Sequence, residues 1–512
     1  MSKEVATELP LASSYCDQSN PFMAQYLLTS QGFDFPDLNN ANACQLCIGN
    51  GTTITINAAA ASTIKWWGNE ADNCLFLAAK NITTGTGVDV NIELANYDEF
   101  AKNNNLPQFD FVTINGVWSW ISEKERRDIL NFLSKHVKAG GVCQVSYLAA
   151  PGNTNMGPII EVLHRFMADN LPGNMPADEK IAKAAELVVE IGKANPAVLI
   201  RVPKLLQDLA AAAAGKDDGE FAKNFLSKHW RCFHLREMAA MFDSIDFGFL
   251  SSNLPKDQLV YTQLTDEEAE YIEQYRGTTL YETCRDFLLN REYRSDLFCN
   301  GARQLTANQY VQKYNSLTLM LTADLTDFDY KIKCPGGDKD LERGLYEPLL
   351  VAFNDYIPHA IGEVRTALKQ FNAEIADSDI DMAINTLVSI GMLVPCADPS
   401  NITEKLVEQC NIVNAAILSD AGMNIRTLAS PVLGFGYSLT DIEYRMLQLV
   451  TQNDDMQPLS IIEKLLESVI VGDLKLKDVD TTSEDELIEF LKKTVTKFTT
   501  FTMPLLYKLG II

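Results

Sequence analysis

The sequence predicts an α/β fold, a doubly wound and mostly parallel sheet, followed by a mainly helical second half. Three observations carry this. Short apolar runs alternate with helix-like segments over the first 150 residues. Glycine pairs sit at the turns between them, as at Gly49-Asn50-Gly51 and Gly140-Gly141. Beyond about residue 303 the alternation stops and helical patterns dominate. Strands alternating with helices mean βαβ units, and a parallel sheet built from them binds ligands at the carboxyl ends of its strands.

The elements follow in order. Residues 43–48 are a short apolar run closed by the Gly49–Gly51 turn, and the Ala-rich stretch 53–68 reads as the first helix, stopped by Gly68. Residues 74–79, Cys-Leu-Phe-Leu-Ala-Ala, read as the second strand, 88–94 as the third and 109–114 as the fourth. Ser122 with Glu125 three residues on is a capping box, so a helix starts there and runs to about 138. Residues 142–147 are the fifth strand. From 151 to 229 only helix is signalled, including the Ala-rich run 210–214 and the polar loop 215–220, which marks a helical insertion. Residues 234–242 return to helix and 247–250 to strand. Either 258–264 or 296–299 completes the sheet. Residues 345–371, 377–390 and 391–394 read as helix, helix and short strand, a winged-helix-like pattern; the rest is mostly helical, with a loop at 428–438 and an acidic stretch at 478–486. The expected units are 1–150, 151–230, 231–302, 303–400 and 401–512.

Charge and cysteine usage exclude several functions. The 512 residues carry 43 Lys plus Arg against 68 Asp plus Glu, a formal charge of −25. Such a surface repels phosphate backbones, so no nucleic-acid partner is expected. The winged-helix-like segment agrees, because its second helix carries Asp377, Asp379 and Asp381. The start of the chain leads into no signal-type apolar run and no stretch of about 20 apolar residues occurs, so no membrane span and a cytoplasmic location are expected. Eleven isolated Cys fit a reducing compartment. Cys44 and Cys47 lack the second pair or nearby His that a metal site needs, so no metal is expected and the two read as small residues of a buried strand.

The segment 109–120, Phe-Asp-Phe-Val-Thr-Ile-Asn-Gly-Val-Trp-Ser-Trp, delivers Asn115, Gly116 and two aromatic residues to the ligand edge. It resembles the fourth motif of class I S-adenosylmethionine-dependent methyltransferases. The likeness is to a bacterial group that carries a methyltransferase regulatory domain and includes lysine methyltransferases acting on outer-membrane proteins. It extends through Asn20-Pro21-Phe22, residues 91–98, Gly140–Tyr147, Asp286–Arg294 and residues 428–434. The resemblance implies a Rossmann-like core, S-adenosylmethionine as cofactor, a protein or small-molecule methyl acceptor, and a homodimer through the helical insertion. It places Gln45, Gly49, Asn50 and Gly51 in the loop under the cofactor's amino-acid part, Asp98 at the adenine amino group with Tyr97 beside it, and Asn115 and Gly116 near the sulfonium. Trp118 and Trp120 fall beside the acceptor channel, where aromatic faces hold cations; the alternative for both is packing. No single base stands out; of the five His, His164 reads as structural rather than catalytic.

Departures from that pattern set expectations too. Gln45 stands where the group has an acid and Cys47 where it has a Gly. With residues 74–79 as the second strand, Ala78, Ala79 and Lys80 occupy its end and the acid that grips the ribose is missing. Weakened cofactor binding follows, with Asp72 or Asn81 as substitutes. Three functions are thus expected: a protein lysine methyltransferase, a methyltransferase-fold regulatory or scaffold protein, or a small-molecule methyltransferase.

Overall fold

A computed structural model describes residues 15–193, 227–326, 328–419, 425–452, 457–471, 474, 476 and 484–512. The chain enters through α1 (Pro21–Ser30), capped by the Asn20 side chain, which accepts from the backbone of Phe22 and Met23. Then β1 (Ala41–Leu46), α2 (Thr52–Ala60), β2 (Ile64–Glu70), α3 (Asn73–Thr86), β3 (Val90–Leu94), α4 (Tyr97–Ala101), β4 (Phe109–Ile114), α5 (Glu123–His136) and β5 (Val137–Leu148) alternate. After α6 (Gly157–Asn170), α7 (Ala177–Lys193) and α8 (Leu235–Asp243) come β6 (Phe247–Ser252), α9 (Asp266–Glu273), α10 (Thr279–Leu288) and β7 (Tyr293–Asn300). The seven strands form one sheet in the order β3-β2-β1-β4-β5-β7-β6. All pairs through β5 are parallel, and β7 runs antiparallel to both β5 and β6.

The expected second strand is the main correction. Residues 74–79 lie in α3, and the strand is ten residues earlier. Asp72 accepts hydrogen bonds from the backbone of Cys74 and Leu75, which starts a helix there, and Gly87 at φ 67° ends it. The Ala-rich stretch stops being helical at Ala60, and Ile64-Lys65-Trp66-Trp67 turns to strand. Gly68 does not stop a helix. It lies inside β2, where a Cβ would meet Ile48 Cγ2 at 2.4 Å and the Gln45 carbonyl at 2.9 Å.

Other elements follow the expectation with shifts. The Ser122–Glu125 capping box forms in both directions. Gly140 and Gly141 lie within β5 rather than ending α5. Residues 293–300 complete the sheet, while 258–264 contribute only short 3₁₀ turns. The Ala-rich run 210–214 and the polar loop 215–220 fall outside the described residues, as do 478–483 of the acidic stretch.

Beyond the sheet come α11 (Ala307–Ser316) and a three-stranded sheet in which β8 (Thr318–Leu321) is flanked by β11 (His359–Ala360) and β12 (Leu393–Cys396). A pair of two-residue strands, β9 (Lys331–Ile332) and β10 (Lys339–Asp340), lies between β8 and β11 in the chain. Residues 345–371 are two helices, Arg343–Val351 and Ile361–Phe371, parted by a turn that contains Pro358. Asp377 and Asp381 of the next helix pair with Arg365 at 2.9 and 2.6 Å. The expected loop at 428–438 is a hairpin, β13 (Thr427–Ser430) and β14 (Phe435–Ser438). One continuous core joins this hairpin and the last helices to the sheet. It includes Ile56, Trp66, Leu428, Leu433, Leu447 and Leu506.

Candidate functional site

The carboxyl ends of β1, β2 and β4 converge on the turn 47–51. Gly49 and Gly51 take φ of 58° and 82°, open to glycine at little cost. A Cβ on Gly51 would lie 2.6 Å from that of Ala79, so α3 packs against the bare turn. Asn50 accepts from Thr52 N and Thr52 Oγ1 at 3.3 and 3.0 Å and fixes the entry to α2. Cys47 is past the end of β1 and takes φ 61°, so it is a strained turn residue rather than the buried strand residue expected.

Glu70 ends β2 with 3% of its surface exposed. One carboxylate oxygen accepts from Gly49 N at 2.8 Å and from the Cys47 thiol at 3.5 Å. The other accepts from Ala71 N at 2.9 Å and Asp72 N at 3.1 Å. Burial pushes its pKa up, against the pull of these donors. An acid therefore stands at the end of the second strand, where the sequence reading found none. The substitutes are not needed: Asp72 caps α3 and Asn81 lies within that helix. The signal missed was a β-rich run, Ile64 to Trp67, placed before an Asp-capped helix.

The other expected residues divide. Tyr97 is buried, and burial, then the neighbouring Cys47 and Glu70, push its phenol up. Asp98, one residue on, is half-exposed and paired with Lys102 at 2.7 Å. Asn115 exchanges amide hydrogen bonds with Gln144 at 2.8 and 2.9 Å and donates to Ser19 Oγ at 2.8 Å. Its side chain therefore clasps the entry segment to the sheet. Gly116 N donates to Ser146 Oγ at 3.1 Å. Trp118 has no exposed surface and packs on Phe242 with ring centroids 5.7 Å apart. Trp120 is half-buried, and its carbonyl accepts from Ser227 Oγ at 2.8 Å. Gln45 is 6% exposed, and its Oε1 has no hydrogen-bond partner among the described residues. Of the His residues, His136 is buried with Nε2 at 2.8 Å from the Ala101 carbonyl, and His359 pairs with Asp355.

An entry strap crosses the site. Tyr15 Oη donates to Asn57 Oδ1 at 2.7 Å and accepts from Gly436 N at 3.0 Å. Cys16 N donates to Thr53 Oγ1 at 3.0 Å, and Asn253 Nδ2 donates to the Gln18 carbonyl at 2.9 Å. These contacts were not foreseen, because they join residues far apart in sequence.

Comparison with solved structures decides the fold. PKMT2 from Rickettsia typhi, solved in complex with AdoHcy, superposes with a TM-score of 0.67 over 98% of this chain and 100% of that one, at 16% identity. A second PKMT2 structure from the same organism gives 0.65. The chain has the class I methyltransferase fold. Within this methyltransferase fold, residues 218–300 match the model of a predicted methyltransferase regulatory domain. An uncharacterized Synechocystis protein is 24% identical over 98% of each chain. An uncharacterized protein of Rickettsia prowazekii is 19% identical over 60% of this chain and 55% of its own. No helix among the described residues is long and apolar enough to cross a membrane.

Proposed function

We propose that the protein transfers the methyl group of S-adenosylmethionine to lysine side chains of a protein substrate. The observation that carries this reading is Glu70, a carboxylate at the end of β2 set against the glycine turn that follows β1. The residues present fit the cofactor. Gly49 and Gly51 let backbone approach it closely, and Glu70 places a carboxylate at the end of β2, where the ribose hydroxyls would lie. Tyr97 walls the same edge. When bound, the cofactor supplies a methyl group on a sulfonium, already activated for transfer. The chain has to align the acceptor, exclude water and favour a neutral amine, which desolvation beside a positive charge does. The Asn115–Gln144–Ser19 clasp holds the strap over the strand ends where alignment takes place, and Gly116 is tied to Ser146 of β5.

Lysine as acceptor is supported by the sequence resemblance and by the charge of −25, which draws basic substrates. In this reading 1–150 and 231–302 are the transfer core, 151–230 a helical insertion for dimerisation, and 303–400 and 401–512 position partners. Transfer of a radiolabelled methyl group tests it. Label should enter whole-cell protein and resist removal of small molecules. Label confined to a small-molecule extract contradicts the protein substrate, and no label in either fraction contradicts the activity.

A further inference from the structure

We propose that a groove beside β6, the outer strand of the sheet, docks the methyl-acceptor protein as an extended basic stretch about four residues from the target lysine. This rests on the protein-lysine reading above.

The groove has a volume of about 580 Å³. It is lined by residues 249–252 of β6, by the turn residues 257–261 and by α9 and α10, with Gln31 of α1 and the exposed Met382 beside them. The outer edge of β6 has no strand partner among the described residues. Asn253 N turns inward and donates to the Ser295 carbonyl at 2.7 Å, so the residue before it, Ser252, turns its backbone groups outward. The Ser252 carbonyl is met there by Gln258 Nε2 at 3.2 Å, and Gln31 Nε2 donates to Gln258 Oε1 at 2.7 Å. Two side-chain amides thus stand where the backbone amides of a further strand would, and such a strand can replace them. Strand addition takes its affinity from main-chain hydrogen bonds and its selectivity from the side-chain surroundings of the edge.

Two features of those surroundings name the chain that fits. Arg285 of α10 is 3% exposed, and its Nη2 is held by the Asp257 carbonyl and Gln263. Its Nε has no hydrogen-bond partner among the described residues, a buried donor that a peptide carbonyl would satisfy. Four carboxylates line the groove, Asp257, Glu270, Glu273 and Glu282, against two guanidiniums, Arg276 and Arg285. That excess of negative charge favours basic side chains on the incoming strand.

The position of the groove connects it to the transfer site. Because β7 is antiparallel to both β5 and β6, β6 runs parallel to β5, and its carboxyl end lies at the same edge of the sheet as the glycine turn. Asn253, the residue after β6, donates to the Gln18 carbonyl of the strap at 2.9 Å. From β6 across β7 and β5 to β4 is three strand spacings, about 14 Å, or about four residues of extended chain.

Peptide binding and methyl transfer test this together. The probes are two dye-bearing synthetic peptides with one central lysine, carrying either a pair of arginines or a pair of glutamates about four residues from it. In fluorescence anisotropy with S-adenosylhomocysteine present, the wild-type protein should bind the arginine peptide at least about tenfold more tightly than the glutamate one. Glu270→Lys, at an exposed site on α9, should weaken the arginine peptide about fivefold or more. Met382→Trp, which fills the groove from its open side, should weaken it by about as much. Glu186→Lys makes the same charge change on α7, away from the groove lining, and should leave binding within about twofold. Unchanged affinity for S-adenosylhomocysteine shows that each variant is folded. Equal losses with Glu270→Lys and Glu186→Lys would overturn the groove in favour of the general acidic field. So would no effect of Met382→Trp, or no binding of the arginine peptide to the wild-type protein. Methyl transfer separates the groove from the reading beneath it. Label entering whole-cell protein equally fast with wild-type and Met382→Trp proteins overturns the groove alone, whereas peptide binding without any label in protein overturns the lysine acceptor.

Discussion

Replacing Glu70 by Gln keeps the shape of the side chain and removes its charge. Hydrogen bonds to a charged group contribute about 1.5–3 kcal/mol each, so Glu70→Gln should weaken S-adenosylhomocysteine at least about tenfold in a calorimetric titration. The carboxyl is held above its ordinary range by burial, so it takes up a proton at a higher pH than a free glutamate. Cofactor affinity should therefore fall as pH drops, with a midpoint above that of an ordinary carboxylate, and the Gln variant should lose this limb of the profile. Cys47 makes the opposite kind of prediction. Its φ of 61° suits glycine, so Cys47→Gly should raise stability by about 1 kcal/mol or less, the lost thiol contact to Glu70 offsetting part of the gain. Cys47→Val, β-branched at the same φ, should lower it. Urea midpoints of the two variants that move in the same direction would contradict the strain.

At the scale of elements, α3 explains both the legible and the illegible parts of the chain. Its capping residue Asp72 and its terminating Gly87 are visible in the sequence, yet Cys-Leu-Phe-Leu-Ala-Ala within it also has the composition of a buried strand. Short apolar runs do not separate helix from strand by periodicity alone. The shift of one strand hid Glu70, the residue on which the proposed cofactor site turns. By contrast the fourth strand, the glycine turn and the Ser122 capping box were legible, because each is a local pattern. The Asn115–Ser19 clasp and the Tyr15 bridge were not, since they join positions 96 and 421 residues apart. Asp72→Ala removes two cap hydrogen bonds and should cost about 1 kcal/mol, read as a lower urea midpoint. Arg294 is fully buried and bonds Asp286 at 2.6 Å, Asp296 at 3.0 Å and Glu282 at 3.1 Å, while Tyr147 Oη donates to Asp296 at 2.5 Å. Removing one member of such a buried network leaves charges unpaired, so Arg294→Met should cost about 3–5 kcal/mol.

Across the whole molecule, the sheet and the C-terminal hairpin share one core, and the hairpin lies against α2, the helix that leaves the glycine turn. Ordering the turn with a ligand should thus slow hydrogen exchange in β13 and β14 as well as in α2. Protection confined to the turn would show the two halves to be independent. The acidic balance acts at this scale too. A charge of −25 steers basic substrates through a field that salt screens, so the second-order rate on a lysine-rich acceptor should fall steeply as ionic strength rises from about 0.05 to 0.5 M. A rate indifferent to salt would remove the support that charge gives to lysine.

Titrating the wild-type and Glu70→Gln proteins with S-adenosylhomocysteine tests most directly whether Glu70 and the glycine turn bind S-adenosylmethionine. Saturable heat at one ligand per chain, weakened at least about tenfold in the variant, is the result predicted. No heat from the wild-type protein at millimolar ligand, or equal affinity of the two proteins, would contradict it.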